Sequence, residues 1–248
     1  MGRVLCIANQ KGGVGKTTTA ANLAVGLAKS GYRTLLADLD PQCNATSALG
    51  QKSTPRHAFV SQAPIRESLI ETSTHGLALL PGSQSFRDVE TLATASQTDA
   101  AALRQQLTSG LSSYDFVLFD CPPSLGQLTR IALSSSTEVV IPIQCEYFAM
   151  EGLTQMIEVI RQVMAERPER LEFGGIVLTM YEHSLELSRE VDHEVREFFG
   201  EIVYETVIPR DVSVSEAPSH GQAVFDYDPR GRGARAYVEL CMEVLEHE

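Results

Sequence analysis

Short apolar runs alternate along this chain with longer stretches in which apolar residues recur at helical spacing. The runs are "VLCIAN" from Val4, "RTLLADLD" from Arg33, "LALLPG" from Leu77, "DFVLFD" from Asp115, "EVVIPIQ" from Glu138, "FGGIVLTM" from Phe173 and "IVYETVI" from Ile202. Several lack polar alternation, as expected of strands that helices cover on both faces. Between them, Ala20, Leu23, Ala24 and Leu27 share one helical face, and Leu153, Met156, Ile157, Ile160 and Met164 form a second. Strand alternating with helix predicts an α/β fold, a mostly parallel twisted sheet flanked by helices. One domain spanning 1–248 is the expectation at this length. Gly50 to Thr74, rich in Ser, Thr, Gln and Pro, has the weakest periodicity and is expected to form loops. No internal repeat or low-complexity tract interrupts the pattern.

Charge and cysteine usage narrow the classes. A formal charge of -12 argues against constitutive nucleic-acid binding by one copy, since affinity for a polyanion comes largely from Lys and Arg. Cys6, Cys43, Cys121, Cys145 and Cys241 are odd in number and contain no CxxC pair, which disfavours a disulfide framework or a zinc site. With no apolar run long enough to span a bilayer and no signal-peptide pattern after Met1, a reducing cytoplasm and no membrane attachment are expected.

Candidate chemistry concentrates in "KGGVGKTTT", residues 11 to 19, where a buried strand gives way to a helix. The general phosphate-loop pattern is GxxxxGK[ST], here with Gln10 in place of the first glycine. Gly12, Gly13 and Gly15 permit close backbone approach to an anion, and Val14 lies between them. Lys16 is placed to neutralise phosphates, Thr17 to offer a hydroxyl to Mg²⁺ and Thr18 to reach the α-phosphate. The chain has four lysines, and two of them, Lys11 and Lys16, fall in this loop. Asp120 ends an apolar strand at the edge where ligands of open α/β sheets sit, and reads as a Mg²⁺ carboxylate. Asp38 and Asp40 alternate just before Pro41, which forces the chain out of its strand.

"KGGVGKTTTAANLA", "DLDPQCNATSALG", "YDFVLFDCPPSLG", "PIQCEYFAMEGL" and "VIPRDVSVSEAPSHG" together resemble the ordered motifs of the ParA/Soj partition ATPases, a branch of the deviant Walker A (MinD-like) P-loop NTPases. The resemblance runs nearly end to end. It implies ATP and Mg²⁺ as ligands, Asp40 as the residue that orients the attacking water, and Asp38 as a metal-site or supporting carboxylate. It implies that Thr179, Pro209 and Asp211 surround the adenine. It also answers the extra lysine: Lys11 would cross to the nucleotide of a second subunit, like an arginine finger, in an ATP-dependent homodimer. Lys11, Lys16 and Asp40 are then the catalytic set, and hydrolysis is slow.

The same resemblance implies non-specific DNA binding in the ATP state, nucleoid association and stimulation by a ParB-type partner. Arg189, Arg210, Arg230, Arg232 and Arg235 are the candidate DNA contacts, doubled across a dimer. Ser213 stands where relatives often carry a basic residue, and the arginine usual near Ser184 is missing. The alternative is a cargo-positioning ATPase of the same fold, serving a carboxysome, chemoreceptor array or division site without strong DNA binding. The acidic end "YVELCMEVLEHE" disfavours a membrane anchor. A helix-turn-helix operator-binding region is not expected ahead of the first strand. No second constellation supports a small-molecule kinase, and no paired cluster cysteines support an electron donor.

Overall fold

The computed structural model describes residues 2–58, 64–85, 105, 108, 112–147, 149–166 and 171–246. Among them, strands β1 (Arg3–Ile7), β2 (Thr34–Asp38), β3 (Ile70–Glu71), β4 (Leu77–Leu80), β5 (Phe116–Asp120), β6 (Glu138–Gln144), β7 (Glu172–Tyr181) and β8 (Val203–Pro209) form one sheet in the order β3-β4-β2-β5-β1-β6-β7-β8. Neighbours run parallel except β3, which pairs antiparallel with β4. All five residues of β2 and all five of β5 are buried, which explains why neither run alternates with polar residues.

Side chains alternate across this sheet, so each strand feeds two cores. Val4, Cys6, Val117, Phe119, Val139 and Ile141 face one layer with the helices Gln127–Ser135, Ala149–Glu166 and Glu186–Phe199. Leu5, Ile7, Leu36, Leu118, Val140 and Val177 face the other, with α1 (Lys16–Lys29) and the last described helix, Arg232–Glu246. The stripe on α1 is wholly buried at Leu23, Ala24 and Leu27, and each leucine contributes about 2 kcal/mol by leaving water. Leu153, Met156 and Ile160 do the same on the opposite face.

The seven strands expected from the apolar runs are all present, with shifted ends. β1 stops at Ile7 rather than Asn9, and Gly200–Ile202 is a tight helical turn before β8. The short edge strand β3 and the helix Ile65–Ser68 lie inside the segment expected to be loops. Residues 59–63 of that segment fall outside the described residues.

Strand order places the site. β1 lies between β5 and β6, with β2 and β4 beyond β5 and with β7 and β8 beyond β6. The chain leaving β1 therefore emerges where the sheet reverses its winding, the crevice in which open α/β sheets hold ligands.

Candidate functional site

Two side-chain bonds from Asn9 fix the start of the loop after β1. Its Nδ2 donates to the Pro142 carbonyl at 2.7 Å, and its Oδ1 accepts from the Lys11 N–H at 3.0 Å. Gly13 and Gly15 then take φ of 77° and 87°, a left-handed backbone that glycine adopts without strain. A Cβ at Gly12 or Gly13 would meet no atom within 4 Å, so the outer face of the loop is open. α1 begins at Lys16 with no acidic residue in its first turn, and its N–H groups and dipole favour an anion on that open face.

Beneath the loop, the Thr179 hydroxyl lies 2.9 Å from the Val14 carbonyl and 3.1 Å from that of Ile143. Thr179 is buried, and its single proton is taken by backbone oxygen. In this position it braces the loop against β6. Asp211 is similarly committed. It caps the helix Val212–Glu216 by accepting from the Ser213 N–H at 2.8 Å, and its other oxygen lies 3.7 Å from Arg232 Nε. Pro209 ends β8 opposite Tyr181 and is half-buried.

Both lysines of the loop are held within the chain. Lys16 is buried and its Nζ donates to the Lys11 carbonyl at 2.8 Å. Burial lowers its pKa, and the carboxylates of Asp120 and Asp40 oppose that shift. Lys11 Nζ meets Glu146 Oε2 at 3.2 Å, and Glu146 Oε1 accepts from Gln144 Nε2. Thr17, half-buried, donates its hydroxyl to Asp120 Oδ2 at 2.8 Å, while Thr18 sits one residue further along α1.

Asp38 and Asp120 are register partners at the ends of β2 and β5, and both are fully buried. Burial raises Asp120 well above the usual carboxylate range, reinforced by the neighbouring Asp38. Asp38 is pushed up to about 6, chiefly by burial, against the hydrogen bonds it accepts. Those bonds occupy both its oxygens: Oδ1 accepts from the Asp40 N–H at 3.2 Å, and Oδ2 from the Thr46 N–H at 2.8 Å and hydroxyl at 2.6 Å. Asp120 differs, because its Oδ1 is buried with no hydrogen-bond partner. An orphaned buried carboxylate oxygen beside a threonine hydroxyl fits a small hard cation that takes its remaining ligands from phosphate and water. Among the described residues no cluster of three or more His, Cys, Asp or Glu could cage a metal.

Asp40 is buried at the start of the turn, its Oδ1 accepting from the Gln42 N–H at 2.8 Å. Composition and motif reading passed over Thr46, Glu146 and Gly82, which the fold brings to the same edge. For Gly82 and Glu146 the available signal was positional, since each lies two residues beyond a strand's carboxyl end, whereas Thr46 sits on the short helix Asn44–Ala48 after the Asp38–Asp40 turn.

Of the five arginines, two are engaged. Arg210 pairs with Glu182 at 2.6 Å, and Arg232 with Asp211. Arg189, Arg230 and Arg235 are exposed and make no ion pair with the described residues.

A glycine-rich anion loop at the switch point of a parallel sheet, with a threonine and buried aspartate beside it, defines a P-loop ATPase. Residues 2–173 match the family described as AAA domain. The sporulation initiation inhibitor protein Soj of Bacillus subtilis is 43% identical over 249 residues, covering 98% of each chain. The chromosome partitioning protein ParA of Caulobacter vibrioides is 44% identical over 253 residues, covering 99% of this chain and 95% of the relative. Cobyrinic acid a,c-diamide synthase from Mycobacterium smegmatis, solved with bound ADP and magnesium, superposes with a TM-score of 0.86 at 32% identity over 100% of this chain and 95% of that one. The chain belongs to the ParA/Soj family of partition ATPases.

Proposed function

We propose that the chain is an ATP-driven dimerising switch for chromosome or plasmid partition, in which bound ATP closes two copies together and its slow hydrolysis parts them. The observation that carries this reading is the joining of an open phosphate cradle, Lys11 to Thr18, to a buried carboxylate with one unpartnered oxygen, Asp120. ATP with Mg²⁺ suits that pair, and a solved structural neighbour holds ADP with magnesium.

In this reading the backbone of Gly12, Gly13, Val14 and Gly15 and the side chains of Lys16 and Thr18 bind the phosphates. Thr17 and Asp120 hold the metal, with Asp38 organising the turn behind them. Bound Mg²⁺ supplies charge neutralisation on the phosphate oxygens. Asp40 orients the water that attacks the γ-phosphorus as the bond to ADP breaks. Lys11 leaves Glu146 and reaches the triphosphate of the second copy, adding positive charge where the transition state gathers negative charge.

The dimer would hold DNA non-specifically through Arg189, Arg230 and Arg235, with the paired Arg210 and Arg232 contributing less than their charge suggests. A ParB-type partner would raise the turnover rate. Co-sedimentation with duplex DNA under ATP, ADP and no nucleotide, each at two salt concentrations, tests this. Retention with ATP alone, weakening steeply as salt rises, is expected; equal retention in all three states contradicts it.

A further inference from the structure

The short helix Asn44–Ala48 follows the Asp38–Asp40 turn, and one of its side chains, Thr46, is fully buried. Its hydroxyl has one proton and two lone pairs. The proton goes to Asp38 Oδ2 at 2.6 Å, and a lone pair accepts the Gly82 N–H at 2.8 Å. The Thr46 N–H joins the same carboxylate at 2.8 Å, and the other Asp38 oxygen takes the Asp40 N–H at 3.2 Å. A continuous path therefore runs from the chain leaving β4, through one hydroxyl and one carboxylate, to the backbone of Asp40.

Close approach is built into this path. A Cβ on Gly82 would lie 2.8 Å from Asp38 Cγ and Oδ2, so a larger residue there would push the carboxylate away. Gly82 is held in turn by its carbonyl, which accepts the Thr54 N–H at 3.0 Å. Desolvation drives Asp38 toward its neutral form, and its bonds from Thr46 oppose that. Without the hydroxyl, both the Gly82 N–H and a buried carboxylate oxygen would lose a partner they cannot replace with water.

We propose that Thr46 is a positioning residue for hydrolysis, holding Asp40 in register with the γ-phosphate through the Asp38 carboxylate and the Gly82 backbone. This rests on Asp40 orienting the attacking water. Thr46 is buried with its hydroxyl committed to Asp38 and Gly82, so it should govern the rate of the chemical step and leave nucleotide affinity nearly intact. Misplacing a water-orienting group by about 1 Å costs on the order of 100-fold in rate.

The test compares Thr46→Val, which keeps the shape and removes the hydroxyl, with Thr46→Ser, which keeps the hydroxyl and removes a methyl. Steady-state ATP hydrolysis gives kcat and KM, and a fluorescent ATP analogue gives Kd. Thr46→Val should lower kcat about 10- to 100-fold with Kd within about threefold of the parent, while Thr46→Ser stays within about threefold in both. Should Thr46→Val fail to fold, Thr46→Cys, with its weaker sulfur hydrogen bonds, replaces it against the serine variant. Native kcat in a folded hydroxyl-less variant overturns the proposal, as does an equal fall in kcat for valine and serine. Asp40→Ala runs alongside: if it hydrolyses normally, the reading of Asp40 itself is at fault, whereas an inactive Asp40→Ala with a fully active Thr46→Val faults only the role of Thr46.

Discussion

In the proposed switch, the ion pair between Lys11 and Glu146 would set the threshold for dimerisation. The ammonium that would cross to a second copy is held at home at 3.2 Å by a carboxylate about half exposed. An ion pair so open to water contributes on the order of 0.2–1 kcal/mol, enough to bias dimerisation without preventing it. Glu146→Gln should therefore tighten ATP-dependent self-association about two- to fivefold at low ionic strength, with the gain shrinking as salt rises. Analytical ultracentrifugation across a salt series measures this, and unchanged or weaker association would show that the pair does not restrain Lys11. At this scale the sequence was legible where chemistry is local: glycines, lysine and threonines in one run announce an anion site. It was silent where a contact spans the fold. Lys11 and Glu146 are 135 residues apart, and only the pairing of β1 with β6 brings them together. The bonds of Thr179 to the loop carbonyl and of Asp211 to its helix cap are silent in the sequence for the same reason, since the first depends on tertiary placement and the second on where the helix starts.

Among the elements, α1 does two tasks, presenting its N-terminus to the anion site and packing its far end against the helix Arg232–Glu246. The second task explains Gly26, which lies in mid-helix where glycine lowers helix stability. A Cβ there would stand 2.4 Å from Cys241 Sγ and 3.2 Å from the Phe225 ring, so the two helices approach at the one residue without a side chain. Gly26→Ala is expected to destabilise by about 1–3 kcal/mol through overpacking, despite the better helix propensity of alanine. Combining it with Cys241→Ala should recover most of the loss, a non-additivity that urea unfolding of both single variants and the double variant measures. Additive losses would mean that the contact at Gly26 is not what limits the packing. The elements themselves were readable because strands buried on both faces leave unbroken apolar runs, and amphipathic helices leave stripes. What escaped was β3, two residues at the sheet edge, half-buried at Ile70 and exposed at Glu71. So short a strand has no room for a period, and its formation depends on β4 already being in place.

Across the whole molecule, the β1 loop, the Asp38–Thr46 turn and the end of β5 all open on the carboxyl edge of one sheet. No described helix is long and apolar enough to cross a membrane. With a formal charge of -12, a single copy has little net attraction for a polyanion, so the proposed DNA contact through Arg189, Arg230 and Arg235 would gain from being doubled in a dimer. In the proposed cycle, dimerisation would link nucleotide state to every later event through Lys11, the lysine proposed to bridge the copies. The direct test is sedimentation velocity of the parent and Lys11→Ala with ATP and Mg²⁺, each checked for nucleotide binding by equilibrium fluorescence. The parent should pass from monomer to dimer on adding ATP, and Lys11→Ala should bind nucleotide yet sediment as a monomer. A Lys11→Ala protein that dimerises with ATP as readily as the parent would contradict the account.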